Sequence, residues 1–224
     1  MKRFFSIYEY AGPLLLLPLA YYLWHQRYDG DHALVALTLF VPILFAYVIP
    51  GIGTNVLKLW EFNTRFRLGR FRPHHGFVFG SATSILVFIS TDMPATGLDI
   101  AEILKSGFVV GSMLAFWNWL YDFLAIKSGF IIVHKQPYFE DDSPATLAAE
   151  HAPVIFGMFG ATYGMWLSAC QSLLLGEGLT GQYWLFFVTG CTACLCLPVA
   201  AFVALSYFRY GVSGLKAIAD GSEE

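Results

Sequence analysis

Six long apolar stretches constrain this chain more than any other feature of its sequence. A helix crosses the hydrocarbon core of a bilayer with about 20 mostly apolar residues, and the six stretches reach or approach that length. They cover residues 4–24, 33–50, 76–91, 107–126, 152–175 and 182–208. Only 13% of the residues are charged, whereas soluble domains carry about a quarter. We therefore expect an all-α fold, with residues 1–224 forming a single transmembrane domain of six helices.

The distribution of Lys and Arg predicts the orientation of this bundle. If the N-terminus is cytoplasmic, all but two of the 13 Lys and Arg residues lie on the cytoplasmic side, the exceptions being Arg27 and Lys105. Cytoplasmic loops carry such an excess of basic residues. An even number of helices returns the chain to the side on which it began. The sequence thus predicts a multi-pass protein of the cell inner membrane with both termini in the cytoplasm.

The loop between the second and third apolar stretches carries an arginine stripe. Its apolar and basic residues alternate with helical spacing over residues 58–72, which predicts an amphipathic helix lying in the membrane interface. Four arginines are candidates for binding a lipid headgroup: Arg65, Arg67, Arg70 and Arg72. The alternative is that these charges only set the topology.

The fourth apolar stretch contains the most informative polar residues. Asn118 and Asp122 are four positions apart, so they share one face of a helix. A carboxylate within a membrane segment is costly unless it is paired or hydrated, which makes Asp122 a candidate functional residue. We take both Asn118 and Asp122 as candidate catalytic residues. The fifth stretch begins beside Glu150 and His151, which we add as candidates for acid–base catalysis. The alternative for Asp122 is an ion pair with Lys127 or a loop arginine at the membrane boundary.

Histidines gather on the same cytoplasmic rim. His74 and His75 precede the third stretch, and His134 lies in the loop that also contains the acidic residues 140–142. Imidazole and carboxylate groups are ligands for divalent metals, so a metal bound by His74, His75 and His134 is one hypothesis. The spacing HxxxH or HExxH is absent from the sequence, and histidines at helix ends often serve only as polar boundary residues.

Other residues predict packing and helix ends. Glycines four apart, at 76 and 80, 107 and 111, and 160 and 164, allow close approach of helices. The four cysteines lie in the last two stretches, where we expect them to pack as small apolar side chains. Ser143 followed by Pro144 predicts a helix N-cap with proline in the first turn.

Three classes of function remain open. The polar rim favours an enzyme that acts on a lipid or isoprenoid at the cytoplasmic leaflet. The lack of a sharp catalytic motif favours a non-catalytic subunit or assembly factor, with other membrane subunits as partners. A small transporter, with Asn118 and Asp122 along a polar path, is the third class. Membrane lipid is the expected partner, and a net charge of −3 gives no reason to expect nucleic acid.

Overall fold

The chain folds into helices joined by short loops. The computed structural model describes residues 1–93, 97–134 and 141–216, and within these ranges it contains six long helices. They are α1 Lys2–Arg27, α2 His32–Gly51, α3 His75–Ser90, α4 Ile100–Lys127, α5 Pro144–Gln171 and α6 Tyr183–Tyr210. Single π-helical turns, Ile52–Val56 and Ser172–Gly176, extend α2 and α5. The all-α prediction is confirmed, and each predicted stretch corresponds to one helix.

Three of the helical segments are long and apolar enough to cross a membrane. Among the described residues these are His32–Val56, Ile100–Lys127 and Thr180–Tyr210, while His75–Ser90 is apolar but shorter. The helices α1 and α5 carry more polar residues, including Glu9 in α1 and Glu150 with His151 in α5. Half of the six long helices in the described residues therefore have the length and apolar composition of membrane-spanning helices.

The predicted N-cap of α5 is confirmed. The Ser143 hydroxyl accepts a hydrogen bond from the Thr146 backbone N–H at 3.2 Å, and Pro144 occupies the first turn. Because α5 begins here, eight residues before the apolar stretch, one continuous helix carries both Glu150 and His151 into the bundle. These two side chains therefore have fixed positions relative to α4 and α6.

Helix α2 forms the centre of the core, and α4 packs on α5 through backbone contact. Phe45 of α2 stacks on Phe159 of α5 with ring centroids 4.0 Å apart. A Cβ atom at Gly160 would lie 2.7 Å from the Val110 carbonyl oxygen, and one at Gly164 would lie 2.7 Å from the Ser106 carbonyl oxygen. Only glycine allows these helices to come so close, as the glycine spacing predicts. This contact fixes α4 against α5, the two helices that carry Asn118, Asp122, Glu150 and His151.

The predicted amphipathic helix over residues 58–72 is wrong. This segment instead contains strand β1, Trp60–Phe62, which pairs antiparallel with strand β2, Ile131–Val133. The hydrogen-bonding partner of β1 lies in the loop between α4 and α5, about seventy residues away, so local periodicity could not reveal it. Phe62 is fully buried against Phe71 and Phe130. The two loops therefore meet at one end of the helices.

Both ends of the described chain lie at this same end of the molecule. Glu9, in the third turn of α1, pairs with Arg72 of the β1 loop, and Leu215, after α6, lines a cavity together with β1 and β2. At the opposite end, Arg27 of α1 donates to the backbone carbonyls of Phe88 and Thr91 at the end of α3. We call the first end, which carries β1 and β2, the hairpin end.

Candidate functional site

A cavity of about 400 Å³ lies at the hairpin end of the bundle. Its wall is mostly aliphatic and aromatic, with side chains from α2, α3, α4, α5, α6 and both strands. Ligand cavities in proteins usually measure about 300 to 1,000 Å³ and combine an apolar wall with a few polar groups. The polar side chains on this wall are those of Trp60, His75, Asn118, Tyr121, Asp122, His134 and His151. The cavity therefore collects five residues that the sequence marks as candidates.

Asp122 and His151 form a pair on the cavity wall. Helix α4 supplies the carboxylate and α5 the imidazole, and the Asp122 Oδ2 atom lies 3.1 Å from the His151 Nε2 atom. The side chain of Asp122 is 11% exposed and that of His151 is 30% exposed. The alternative pairing of Asp122 with Lys127 or a loop arginine is not observed among the described residues. The close α4–α5 contact brings together two residues that are 29 positions apart.

The surroundings of His151 restrict where its proton can be. The Nδ1 atom lies 2.8 Å from the Leu147 carbonyl oxygen, which can only accept, so Nδ1 carries a hydrogen. The hydrogen bond between Nε2 and Asp122 then contains a second proton, held either by the imidazolium or by the carboxylic acid. This pair can store one proton and release it at the cavity wall. The Asp122 Oδ1 atom has no hydrogen-bond partner within the described parts of the chain, so it is the oxygen available to a bound molecule.

Asn118 and Glu150 have different surroundings. Asn118 lines the cavity one turn before Asp122, and its Nδ2 group donates to the Leu114 carbonyl at 2.9 Å, which leaves its amide oxygen as an acceptor. Glu150 does not line the cavity. Its carboxylate accepts two hydrogen bonds from Arg209 at 3.0 Å and one from the Tyr210 hydroxyl at 2.8 Å. Glu150 therefore links α5 to α6, and we carry only Asn118 forward as a site residue.

Behind the cavity lies a buried cluster around Arg72. The Arg72 guanidinium is 1% exposed, lies 3.6 Å from the Glu9 carboxylate and stacks 4.3 Å above the Phe62 ring. It also donates to the His75 Nδ1 atom at 2.9 Å and to the Tyr121 hydroxyl at 3.5 Å. Because Arg72 is buried, it cannot contact lipid headgroups as the sequence analysis expects. Its charge is instead balanced by Glu9 within the protein.

The other three arginines of the stripe lie nearer the surface. Arg65 and Arg67 are exposed, and Arg67 pairs with Glu61 at 3.2 Å. Arg70 is half-buried and donates to the His134 Nε2 atom at 3.1 Å. Because the segment is not helical, these side chains do not form a continuous face. Headgroup binding stays a prediction for Arg65, Arg67 and Arg70.

The three histidines proposed as metal ligands have separate neighbours. Guanidinium groups occupy one nitrogen of His75 and one of His134, and a nearby guanidinium repels a metal cation. His74 stacks on Tyr10 and its Nε2 atom lies 3.6 Å from Glu9. No group of three or more potential ligands that could hold a metal ion is present among the described residues. Glu140, an acidic residue of the same loop as His134, and Lys135 lie outside the residues that the structure describes.

Glu9 and Tyr121 are site residues that the sequence analysis missed. Glu9 lies inside the first apolar stretch, so the same rule that selects Asp122, an ionisable group within a membrane segment, selects it too. Tyr121 lies next to Asp122 in the sequence, but only the position of Arg72 gives its hydroxyl a role. That position depends on the β1 loop and could not be inferred from helical periodicity.

Comparison of the chain with protein-family models, with curated proteins and with solved structures finds no match. The functional argument therefore depends on the cavity and its residues.

Proposed function

We propose that this protein is a membrane-embedded enzyme that transfers a proton to or from a lipid or isoprenoid bound in the cavity. Asp122 is the acid–base group, and His151 shares its proton. Asn118 positions the substrate by hydrogen bonding through its amide oxygen. One observation carries the proposal: a carboxylate–imidazole pair that holds a proton opens onto a mostly apolar cavity of about 400 Å³.

The chemistry of the wall supports a substrate with a large apolar part. Aliphatic and aromatic side chains such as Phe45, Ile155 and Phe202 make up most of the lining. Binding of an apolar molecule there releases water from both surfaces, at about 25 cal/mol per Å² of apolar area. General acid–base catalysis requires a group that can change its protonation within reach of the substrate, and Asp122 meets this requirement.

The proposed membrane arrangement is six helices with both termini in the cytoplasm of a cell with an inner membrane. The distribution of Lys and Arg supports this orientation, as does the location of Glu9 and Leu215 at the hairpin end. The cavity then lies towards the cytoplasmic leaflet. Exposed apolar side chains on α4 and α6, such as Phe108 and Phe208, would face lipid.

The arrangement of polar groups favours an enzyme over the other two classes. A transporter requires polar groups along a path through the membrane, whereas the cavity takes its polar residues from the hairpin end alone among the described parts of the chain. A purely structural subunit has no need of a proton-holding pair on a cavity wall. Perturbed or paired ionisable groups in cavities are frequent at catalytic sites.

Analysis of lipids that remain bound to the purified protein tests the proposal. We expect mass spectrometry of solvent extracts to detect a lipid in wild-type protein and in the Asp122→Asn variant, with the variant holding the unreacted form. The Val199→Phe variant, which places a larger side chain on the cavity wall, should lose the bound lipid. Glu102→Gln serves as the control, because Glu102 is an exposed carboxylate that pairs with Lys105.

The proposal is wrong if the extracts of wild-type protein and Val199→Phe contain the same lipids in the same amounts. It is also wrong if Asp122→Asn and Glu102→Gln both resemble the wild type in the identity of the bound lipid. The first result would mean that the cavity binds no lipid, and the second that Asp122 has no part in conversion.

A further inference from the structure

His75 is a cavity residue to which the proposed proton transfer assigns no role. It is the first residue of α3 and lines the cavity together with Asp122 and Tyr121. Its ring packs among aromatic neighbours, with the centroid of Phe62 at 4.8 Å and that of Phe79 at 6.4 Å. These contacts fix the plane of the imidazole, so its two nitrogens point in defined directions.

Arg72 determines the tautomer of His75. The His75 Nδ1 atom lies 2.9 Å from Arg72 Nη2 and 3.2 Å from Arg72 Nε. A guanidinium has only donors, so Nδ1 must accept and carries no hydrogen. The imidazole is therefore neutral, and its single hydrogen is on Nε2. This nitrogen has no partner in the described residues, which leaves an oriented N–H donor at the cavity.

Arg72 itself cannot change position easily. Its guanidinium is buried against the rings of Phe62 and Phe130, at 4.3 Å and 5.3 Å, and it faces the buried carboxylate of Glu9. The same guanidinium donates to the Tyr121 hydroxyl, whose own hydrogen is then free to be donated elsewhere. Arg72 is thus a positioning residue behind two side chains of the cavity wall.

The charge of the wall limits what His75 can bind. The described lining residues include no Lys or Arg, and the Asp122–His151 pair is neutral overall because its two groups share one proton. A phosphate or carboxylate headgroup would enter this cavity without a balancing cation, at a high cost in desolvation. A neutral oxygen needs only a hydrogen-bond donor. The wall therefore suits a molecule that is apolar except for a carbonyl or hydroxyl oxygen.

We propose that the neutral Nε2–H group of His75 binds the carbonyl or hydroxyl oxygen of an otherwise apolar substrate in this cavity. The inference rests on the proposed function in taking the cavity as the substrate site, and it adds the substrate class, a neutral oxygen-bearing lipid or isoprenoid. His75 then selects the substrate and fixes its orientation relative to Asp122. A hydrogen bond of this kind improves affinity by roughly two- to tenfold over a hydrocarbon of the same length.

Infrared spectroscopy of a bound ketone tests this directly. The probes are 2-dodecanone with a ¹³C-labelled carbonyl, dodecane and dodecyl phosphate, added to the full-length protein in lipid nanodiscs, with empty nanodiscs as the reference. In wild-type protein we expect a carbonyl band at lower frequency than in empty nanodiscs, because hydrogen bonding weakens the C=O bond. The ketone should bind more tightly than dodecane, and dodecyl phosphate should not displace it.

Two variants separate His75 from its neighbours. His75→Phe keeps an aromatic ring and should still bind dodecane, but its ketone band should return to the position seen in empty nanodiscs. His134→Phe is the matched control, since His134 also lines the cavity and also accepts a hydrogen bond from an arginine, Arg70, so it tests whether the effect belongs to His75 and not to any histidine of the wall. This variant should keep the shifted band. A shifted band in His75→Phe, or its loss in His134→Phe alone, would overturn the inference.

A second measurement uses only wild-type protein, so it does not depend on whether a variant folds. In wild-type protein labelled with ¹⁵N-histidine, His75 should show the spectrum of a neutral ring protonated at Nε2, and that signal should move when 2-dodecanone is added. A ring protonated at Nδ1, or a signal that the ketone leaves unchanged, would contradict the inference.

Asp122→Asn should retain the carbonyl shift, so failure of the catalytic proposal and failure of the oxygen site give different results.

Discussion

Arg72 shows how strongly a single residue can depend on its surroundings. A buried guanidinium without a counter-ion is unfavourable by several kcal/mol. Here the Glu9 carboxylate at 3.6 Å balances it, and the rings of Phe62 and Phe130 pack against it. Three buried polar atoms of this cluster, Glu9 Oε2, Arg72 Nη1 and His74 Nε2, make no hydrogen bond with the described residues. The cluster therefore depends on charge balance more than on ideal hydrogen bonds.

Removing only one member of this pair should be more damaging than removing both. We expect Arg72→Met to lower the free energy of unfolding by about 3–5 kcal/mol, because it leaves Glu9 buried without a counter-ion. The double variant Arg72→Met with Glu9→Leu should be more stable than Arg72→Met alone. Unfolding in detergent measures both effects. The control is Arg67→Met, which breaks the exposed pair with Glu61 and should lower the free energy of unfolding by less than about 1 kcal/mol. An equal loss in Arg72→Met and Arg67→Met would contradict this account.

His74 should make the stability of the protein depend on pH. Burial, and secondarily the charge of Arg72, lower the pKa of His74 below its ordinary value of 6.5. As the pH falls below about 6.5, the unfolded chain takes up a proton that the folded protein does not, so the folded state loses stability. Melting temperatures measured from about pH 7 to pH 5 should decrease less in His74→Phe, which retains a ring to stack on Tyr10, than in the wild type. Equal decreases in the two proteins would exclude this role for His74.

At the scale of the elements, the α4–α5 contact determines the site. The backbones of these helices approach closely at Gly111, Gly160 and Gly164, and further along the same helix pair Asp122 meets His151. Small residues four apart permit such an approach. A methyl group at this contact would meet backbone atoms, which cannot move aside as a flexible side chain can.

Gly164→Ala should therefore destabilise the protein. Its Cβ would lie 2.7 Å from the Ser106 carbonyl oxygen, and overpacking of this kind costs about 1–3 kcal/mol. Thermal unfolding in detergent gives the stability. Gly51→Ala is the control, because Gly51 is also helical but has open space around it; alanine there should be neutral or slightly stabilising. Equal stability of the two variants would contradict the packing argument.

The helices could be predicted from the sequence more completely than the loops. Apolar length and the Ser143–Pro144 signal are local properties, and α5 begins at Pro144 as predicted. Strand β1 depends on hydrogen bonds with Ile131–Val133 in a distant loop, and its aromatic and basic residues also fit helical spacing. Whether this segment forms a helix or a strand therefore depends on a tertiary contact that the local sequence pattern does not contain.

At the scale of the whole molecule, the two ends of the bundle differ. The hairpin end contains the cavity, the Asp122–His151 pair and the Arg72 cluster. The sequence placed Asn118, Asp122, His75 and His151 on one rim, and the structure brings all four to one cavity. The sequence could not reveal the partners of these residues. Asp122 pairs with His151 rather than Lys127, and Glu150 pairs with Arg209. Those choices depend on how the helices are rotated about their axes.

The proposed topology predicts which residues a membrane-impermeant thiol reagent can reach. In a variant whose four cysteines are replaced by alanine, a cysteine at Glu177 should react in intact cells, since Glu177 is exposed between α5 and α6. A cysteine at Arg65, also exposed, should react only after the membrane is permeabilised. Reaction of both in intact cells, or the reverse pattern, would rule out cytoplasmic termini.

The most direct test of the central claim is the lipid composition of membranes that contain the protein. Total lipids from cells that express the wild type, Asp122→Asn or Glu102→Gln at equal levels can be compared by mass spectrometry. If Asp122 catalyses proton transfer in the cavity, the wild type and Glu102→Gln should contain a lipid species that is absent or much reduced with Asp122→Asn, together with less of its precursor. Identical lipid profiles for wild type and a folded Asp122→Asn variant would contradict the claim that this protein is an enzyme acting through Asp122.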